Sequence, residues 1–508
     1  MAFVDLVWDM LSRSPHTPTP KEDEVSMQAV EAGSGSGLER YFKFKQWNTS
    51  LARDMLAGLT TFIVMSYIIF VNPSILGLGG KGLPFAAVLT STCLVAGVMT
   101  ILMGAVTNRA YAIAPGMGLN AVVAFSLVLG QGLTFPQAMG LIFLEGVAIT
   151  ILVLTGFREA IFKAIPLELK QAIVVGIGFF ILFIGLVDGG IVKVGSGTPV
   201  TLGDFIGVPV ATTIFGLTVT IIMLTRGWRG AVILGIIFST IFATVLNYLY
   251  DKTSFAEGIA VIPSKIVASP DFSLIGQFNF GAFSKLGVTA AILWIFSLML
   301  SDFFDTMGTL VGVGRQAGYL DDQGHLKKLN RLLLIDSLAA VAGGAASASS
   351  ATTYIESGAG VAQGGRTGMV GIVVGVLFLL AMFFSPIAAI VPANATAPAL
   401  IIVGYLMMAT LVAGEVEAED EESGGLVKKA ISSIHFGDIA FGLPAVLTMT
   451  IMPLTYSITN GIGAGFLSYT LIRIVQGRAR DISWMLWIAS AGFLLYFLVP
   501  LLQAKGWV

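Results

Sequence analysis

The sequence predicts an all-α membrane protein of about fourteen transmembrane helices, and three observations carry that reading. Hydrophobic residues make up 56% of the 508 positions and charged residues 11%, against roughly 25% charged in a soluble chain. The apolar residues gather into blocks of about 17 to 25, the length that crosses a bilayer core as helix, instead of recurring with a period of 3.6 or 2.0. Lysine and arginine concentrate in every second connection, as short cytoplasmic loops require. The 60 glycines exceed the usual share of roughly 7%, which suits helices whose backbones pack closely without a hydrophobic drive.

Residues 1–45 read as a polar, mobile tail (SPHTPTPKEDE, EAGSGSG) without the basic start, apolar run and cleavage site of a signal peptide. Its opening AFVDLVWDML has the composition of a short interfacial helix, but a weakly ordered tail is the preferred reading. Spans follow near 52–72, 84–105, 111–129, 136–156, 170–187, 208–224 and 229–249, then near 288–310, 330–346, 351–366, 367–391, 395–413, 438–456 and 459–477. With the N-terminus inside, 22 of the 28 lysines and arginines fall on the cytoplasmic side, and five (Lys81, Lys193, Lys252, Lys265, Lys285) fall outside. Both ends of the fourteen-span unit are therefore expected in the cytoplasm of a multi-pass protein of the cell membrane. Lys505, beyond a further apolar block at 482–502, favours an interfacial or re-entrant position for that block. Two connections are long: 250–287, expected outside, and 414–437, expected to be a solvated acidic loop with Glu415, Glu417, Glu419, Asp420, Glu421 and Glu422.

Two spans are expected to be broken. In the third, Tyr111-Ala-Ile-Ala precedes Pro115-Gly116-Met117-Gly118-Leu119-Asn120, which stops one helix and starts another with proline in its first turn. In the tenth, the β-branched and polar run Ser349 to Ile355 precedes Glu356-Ser357-Gly358-Ala359-Gly360, which opens a short helix. Extended backbone at membrane depth needs partners, and these two segments can supply each other. They are third in each set of seven spans, and a repeat of seven spans must insert upside down, so the halves form a 7+7 inverted repeat. Interrupted helices of that geometry meet near the midplane with their N-termini toward substrate.

The spans hold Glu145, Asp302, Asp305, Asp336 and Glu356 but no lysine, arginine or histidine in their middle thirds. An acid at a helix centre costs about 2.5 to 3.5 kcal/mol on insertion scales, so these groups are expected protonated, hydrogen-bonded or facing water. Reversible protonation is what a proton-coupled carrier needs. Asp302 and Asp305, three apart, share a helix face, and Glu356 stands in the first turn of the second half-helix. Functional roles are expected for these three, and structural hydrogen bonds for Glu145 and Asp336. His16, His325 and His435 lie outside the spans, and Cys93 is the single cysteine, so neither a histidine relay nor a metal site nor a disulfide is expected.

These segments resemble the adenine/guanine/hypoxanthine permeases, a branch of the nucleobase-cation symporter 2 (xanthine/uracil permease) family. The resemblance rests on the run from Ala57 to Pro73, on Ala114-Pro-Gly-Met-Gly-Leu-Asn-Ala, on Asp302-Phe-Phe-Asp-Thr-Met-Gly-Thr-Leu, on Thr353-Tyr-Ile-Glu-Ser-Gly-Ala-Gly and on Gln363-Gly-Gly-Arg-Thr-Gly, and it covers residues 40 to 500. It implies a core of spans 1–4 and 8–11 (46–160 and 288–392) and a gate of spans 5–7 and 12–14 (161–250 and 393–481). The external loop 251–287 and the C-terminal apolar segment 482–508 stand apart, and a homodimer is usual. By resemblance Asn120, Asp302 and Glu356 bind the purine and Asp305 takes part in proton coupling, with backbone N–H groups around Gly118 and Ser357 adding orientation. The acidic loop is longer than the family's, and the N-terminal tail has no counterpart there.

The expected function is proton-coupled uptake of purine nucleobases (adenine, guanine, hypoxanthine), the expected partners being the base, protons and membrane lipid. No cofactor, catalytic residue or nucleic-acid partner is expected. A carrier of uracil or xanthine is the nearest alternative. An anion transporter or channel of the same fold suits an acidic core poorly. An intramembrane aspartyl protease would carry its two aspartates on different helices.

Overall fold

The computed structural model describes residues 37–155, 165–228, 230–250, 253–320, 326–409, 415–419, 426–430 and 434–504. The N-terminal tail up to residue 36, with its AFVDLVWDML run, and Lys505 lie outside the described residues. In chain order the first half comprises α1 (Gly37–Phe42), α2 (Leu51–Met65), α3 (Ile68–Gly77), α4 (Phe85–Thr107), β1 (Ile113–Pro115), α5 (Met117–Ala121) running into a π-helical stretch Val122–Gly130, α6 (Phe135–Leu154), α7 (Leu167–Asp188), a small hairpin of β2 (Val192–Lys193) and β3 (Thr201–Leu202), α8 (Val208–Thr225) and α9 (Ala231–Leu249). The second half comprises α10 (Ala282–Leu286), α11 (Val288–Gln316), α12 (Leu329–Ala345), β4 (Ala351–Thr353), α13 (Ser357–Ala362), α14 (Met369–Ala381), α15 (Ser385–Ala389), α16 (Ala393–Ala409), β5 (Glu415–Glu419), β6 (Leu426–Ala430), α17 (Ile439–Leu454), α18 (Ile458–Val475) and α19 (Trp484–Ala504).

Among the described residues nine helices are long and apolar enough to cross a membrane. The other five of the fourteen expected spans are short: the two broken ones, and α12, α16 and α17 at 17, 17 and 16 residues. At 1.5 Å per residue the last three reach about 25 Å, a little under the bilayer core. The first span departs from the continuous helix expected, because i to i+3 hydrogen bonds tighten it at Ser66 and Tyr67, between α2 and α3. α19 runs antiparallel beside α18, with Ser490 against Thr470 at 2.8 Å, Phe493 edge-on to Phe466 and Tyr496 donating to Asn460. Within the acidic connection, β5 and β6 pair antiparallel with Glu417 opposite Lys428.

β1 and β4 pair antiparallel, Ile113 with Thr353, Ala114 with Thr352 and Pro115 with Ala351. The Gly116 N–H donates to Ser350 O at 2.8 Å and the Tyr354 N–H to Ala112 O at 2.9 Å, so the unwound backbone of each broken span satisfies the other. Pro115 ends the strand and the half-helix begins at Met117, so proline precedes the first turn instead of occupying it. Equivalent strands that run antiparallel are what an inverted repeat produces. The fifth and twelfth spans repeat the relation, because α7 and α16 cross antiparallel where Gly178 meets Gly404 and Gly185 meets Ala397.

Packing sorts the helices into two groups. α2 to α6 with β1 pack mainly against α11 to α14 and β4, whereas α7, α8 and α9 pack mainly against α16, α17 and α18. The first group closes on a backbone contact between α4 and the start of α14: a Cβ on Gly104 would lie 2.3 Å from Gly368 O, and one on Gly368 1.9 Å from Gly104 O. Either residue as alanine forces the two helices apart. Gly104→Ala is expected to cost about 1–3 kcal/mol, read as a lower unfolding temperature in detergent, while alanine at the solvent-side Gly37, which has open space around it, leaves that temperature unchanged. The Asp54 carboxylate fastens the same end. It accepts from Thr49 Oγ1 at 2.8 Å, from the Arg366 and Thr367 N–H groups at 3.1 Å each, and from the Thr367 hydroxyl.

The connection 253–287 lies over the ends of these helices, where the N–H groups of Ala260, Ala268 and Asn279 donate to the carbonyls of Ile390, Phe383 and Pro136.

Candidate functional site

Between the two groups lies a cavity of about 730 Å³, within the range of small-molecule sites. The first group contributes Tyr67 from the break in span one, Gly116 to Gly118 from the first half-helix, Thr353 to Glu356 from the second, and one face of α11. The second group contributes Leu167, Lys170, Gln171, Val174 and Ile181 of α7 and Val403 and Met407 of α16. Along α11 the lining runs from Phe304 to Gln316, about 18 Å of helix. It thus reaches the end of α11 that carries Arg315 and the start of α7 that carries Lys170.

The opposite end is filled by aromatic side chains from both groups. Tyr456, just before α18, packs against Phe125, Phe180 and Phe183 with ring centroids 5.5, 6.0 and 5.5 Å away. Ser126 Oγ donates to Tyr456 O at 2.7 Å.

The expected site residues divide by helix geometry. Gly118, Asp305 and Glu356 line the cavity, and the two acids are half-buried. Asn120, Asp302 and Ser357 are buried and outside the lining. Three residues along an α-helix turn the side chain by about 300°, leaving Asp302 roughly 60° away from Asp305, and two residues turn Asn120 about 200° away from Gly118. Ser350 Oγ reaches Asp302 Oδ1 at 3.5 Å. Ser357 Oγ accepts the Ala112 N–H at 2.9 Å, which ties the second half-helix to the strand of the first. The Asn120 side-chain amide has no hydrogen-bond partner among the described residues, an uncommon state for a buried polar group.

Asp336 has the structural bonds expected of it. Its carboxylate accepts from Thr306 Oγ1 of α11 at 2.7 Å and from the Thr353 N–H at 3.0 Å, with the Thr352 hydroxyl 3.4 Å away, so it holds β4 against α11. Tyr354 Oη donates to Pro115 O at 2.5 Å across the strand pair. Glu145 is fully buried on α6.

Five contributors, Tyr67, Gly308, Gly312, Lys170 and Gln171, carried no assigned role in the sequence. Tyr67 lines the cavity and its hydroxyl donates to Glu356 Oε1 at 2.5 Å. Its signal was a polar-tipped aromatic in the middle of an apolar span. Gly308 and Gly312 lie on the cavity face of α11 at i+3 and i+7 from Asp305, a spacing legible in the sequence; a Cβ on either would meet only ordinary contacts, Val174 at 3.6 Å and Ile355 at 3.5 Å. Lys170 and Gln171 come from α7 in the second group, where no motif marks them.

Residues 52–427 match the model of the Permease family (Xan_ur_permease). The chain belongs to this family. It is 37% identical to the adenine permease AdeQ of Escherichia coli (strain K12) over 474 residues, 93% of this chain and 98% of that protein. It is 39% identical to the guanine/hypoxanthine permease PbuG of Bacillus subtilis (strain 168) over 470 residues, 91% and 99% of the two chains. Its fold is similar to that of the murine Solute Carrier 26 family member A9 anion transporter in the inward-facing state, with a TM-score of 0.58 at 11% identity over 91% of this chain and 77% of that one. The permease is thus a membrane transporter with the inverted-repeat fold and not an enzyme.

Proposed function

We propose that this permease carries purine nucleobases into the cell together with protons, by movement of the α2–α6 and α11–α14 group against the α7–α9 and α16–α18 group. The observation that carries the reading is a cavity between the two groups whose wall holds two carboxylates, Asp305 and Glu356. A neutral planar base offers N–H donors to such a wall, whereas an anion would be repelled by it. The names of the relatives, adenine permease and guanine/hypoxanthine permease, agree with this chemistry.

In this proposal Glu356 accepts a purine N–H, and the backbone at Gly118 lies against the base. Asp305 carries the coupled proton, because a coupling acid must exchange with water from the open side and Asp305 borders the cavity. Asp302 and Ser357 support the site from behind through Ser350 and Ala112. Asn120 belongs to the site on its unpaired amide: Asn120→Ala is expected to weaken purine binding by about 1–3 kcal/mol, and unchanged affinity in titration would assign the amide to packing. With Lys170 and Arg315 on the cytoplasmic side, as the charge asymmetry supports, the cavity faces the cytoplasm and the Tyr456 aromatic cluster seals the exterior. A second copy of the chain completes the functional unit, as a homodimer in the cell membrane.

The test is equilibrium binding by the purified protein. Adenine, guanine or hypoxanthine should titrate with saturable heat, and uracil, xanthine, bicarbonate and sulfate should fail to compete. Competition by uracil or xanthine alone would move the substrate to another nucleobase, and competition by the anions alone would overturn the reading.

A further inference from the structure

Tyr67 is 1% exposed and stands between α2 and α3, where its hydroxyl reaches Glu356 although 289 residues separate the two. The hydroxyl donates to Glu356 Oε1 at 2.5 Å, and both side chains line the cavity. An ionised carboxylate is an acceptor at both oxygens and can receive two parallel N–H donors as a fork. A hydrogen bond from a fixed phenol fills one of the two acceptor sites on Oε1, so a base donor that approaches that oxygen has to share it, whereas Oε2 is unencumbered by Tyr67. It also fixes the plane of the carboxylate, because Tyr67 is packed and cannot follow a rotating partner.

We propose that Tyr67 is a positioning residue that sets substrate specificity: by holding Glu356 Oε1 it leaves Oε2 to meet the base, so the site is matched to a purine edge with one N–H donor. Hypoxanthine presents one such donor on its six-membered ring, the N1–H. Guanine presents two side by side, the N1–H and the exocyclic amine, and would use both carboxylate oxygens if both were free. The inference rests on the purine reading and deepens it, since it names which edge chemistry Glu356 selects.

The experiment compares hypoxanthine and guanine binding in the wild-type protein and in Tyr67→Phe, which loses only the hydroxyl. Release of Oε1 is expected to shift the affinity ratio toward guanine by about tenfold, the effect of one added charge-assisted hydrogen bond, with hypoxanthine affinity altered much less. Tyr67→Met, which also lacks the hydroxyl, should shift the ratio the same way if the phenylalanine protein does not insert. A ratio that stays fixed, falls, or survives a uniform loss of both affinities overturns the role of Tyr67 and leaves the purine reading standing. A wild-type protein that binds adenine but neither of these bases overturns the role of Tyr67 and leaves the purine reading standing; one that binds none of the three overturns both.

Discussion

Glu356→Gln is expected to weaken purine binding by about a hundredfold to ten-thousandfold. Glutamine keeps the volume and the Tyr67 contact, since its carbonyl oxygen can accept the Tyr67 hydroxyl that Glu356 Oε1 accepts now. That choice turns the amide NH2 toward the cavity, so a donor faces the N–H of the base where a carboxylate oxygen stood. The lost charge-assisted bond is worth about 1.5–3 kcal/mol and the unpaired donors about 1–3 kcal/mol more; together these give the expected loss. Because the substitution is isosteric and Glu356 lies in the cavity wall and not in the helix packing, the unfolding temperature without substrate should remain near the wild-type value. Retained binding would remove Glu356 from the site.

Asp305→Asn should fail differently. A neutral side chain of the same shape represents a carrier locked in the protonated state. Binding and exchange of labelled purine across the membrane should persist, while accumulation driven by a proton gradient disappears. Coupling exists only where proton and substrate each favour one access state over the other, and a permanently neutral residue cannot transmit that difference. For one coupled proton the loss is about tenfold in accumulation ratio per pH unit of gradient. Accumulation that survives would make Asp305 structural and move the coupling proton to Glu356 or Asp302. The geometry argues against Asp302 on the ground of access, since it is buried behind the lining and faces Ser350.

The contrast between these two aspartates marks how far the sequence reaches. Their spacing placed both near one face of α11, but a 60° offset decides which of them meets the cavity. Only the packing of α7 across α11 makes that offset visible. The two broken spans were legible because proline, glycine and β-branched residues at Ala112–Gly118 and Ser349–Glu356 leave little freedom to the backbone, and the antiparallel strand pair follows from the need to satisfy it. The break at Ser66 and Tyr67 carried no such mark, for neither residue forbids a helix, and the tertiary bond to Glu356 is non-local. The apolar blocks supplied the spans and the charge alternation their order, but the neighbours of α19, Phe466, Phe296 and Thr470, are partners that no local pattern in 482–502 announces. The gate-side lining, Lys170 and Gln171, was likewise invisible, because its relation to the site exists only after the two groups assemble.

In the proposed mechanism purine and proton move together through this cavity. The measurement that tests it most directly uses the purified permease in proteoliposomes, with labelled hypoxanthine outside at a pH one unit below that of the lumen. Uptake to a lumenal concentration several times the external one is expected, competed by adenine or guanine and collapsed by a protonophore. Hypoxanthine that stops at equal concentrations inside and out, with or without the gradient, would contradict it.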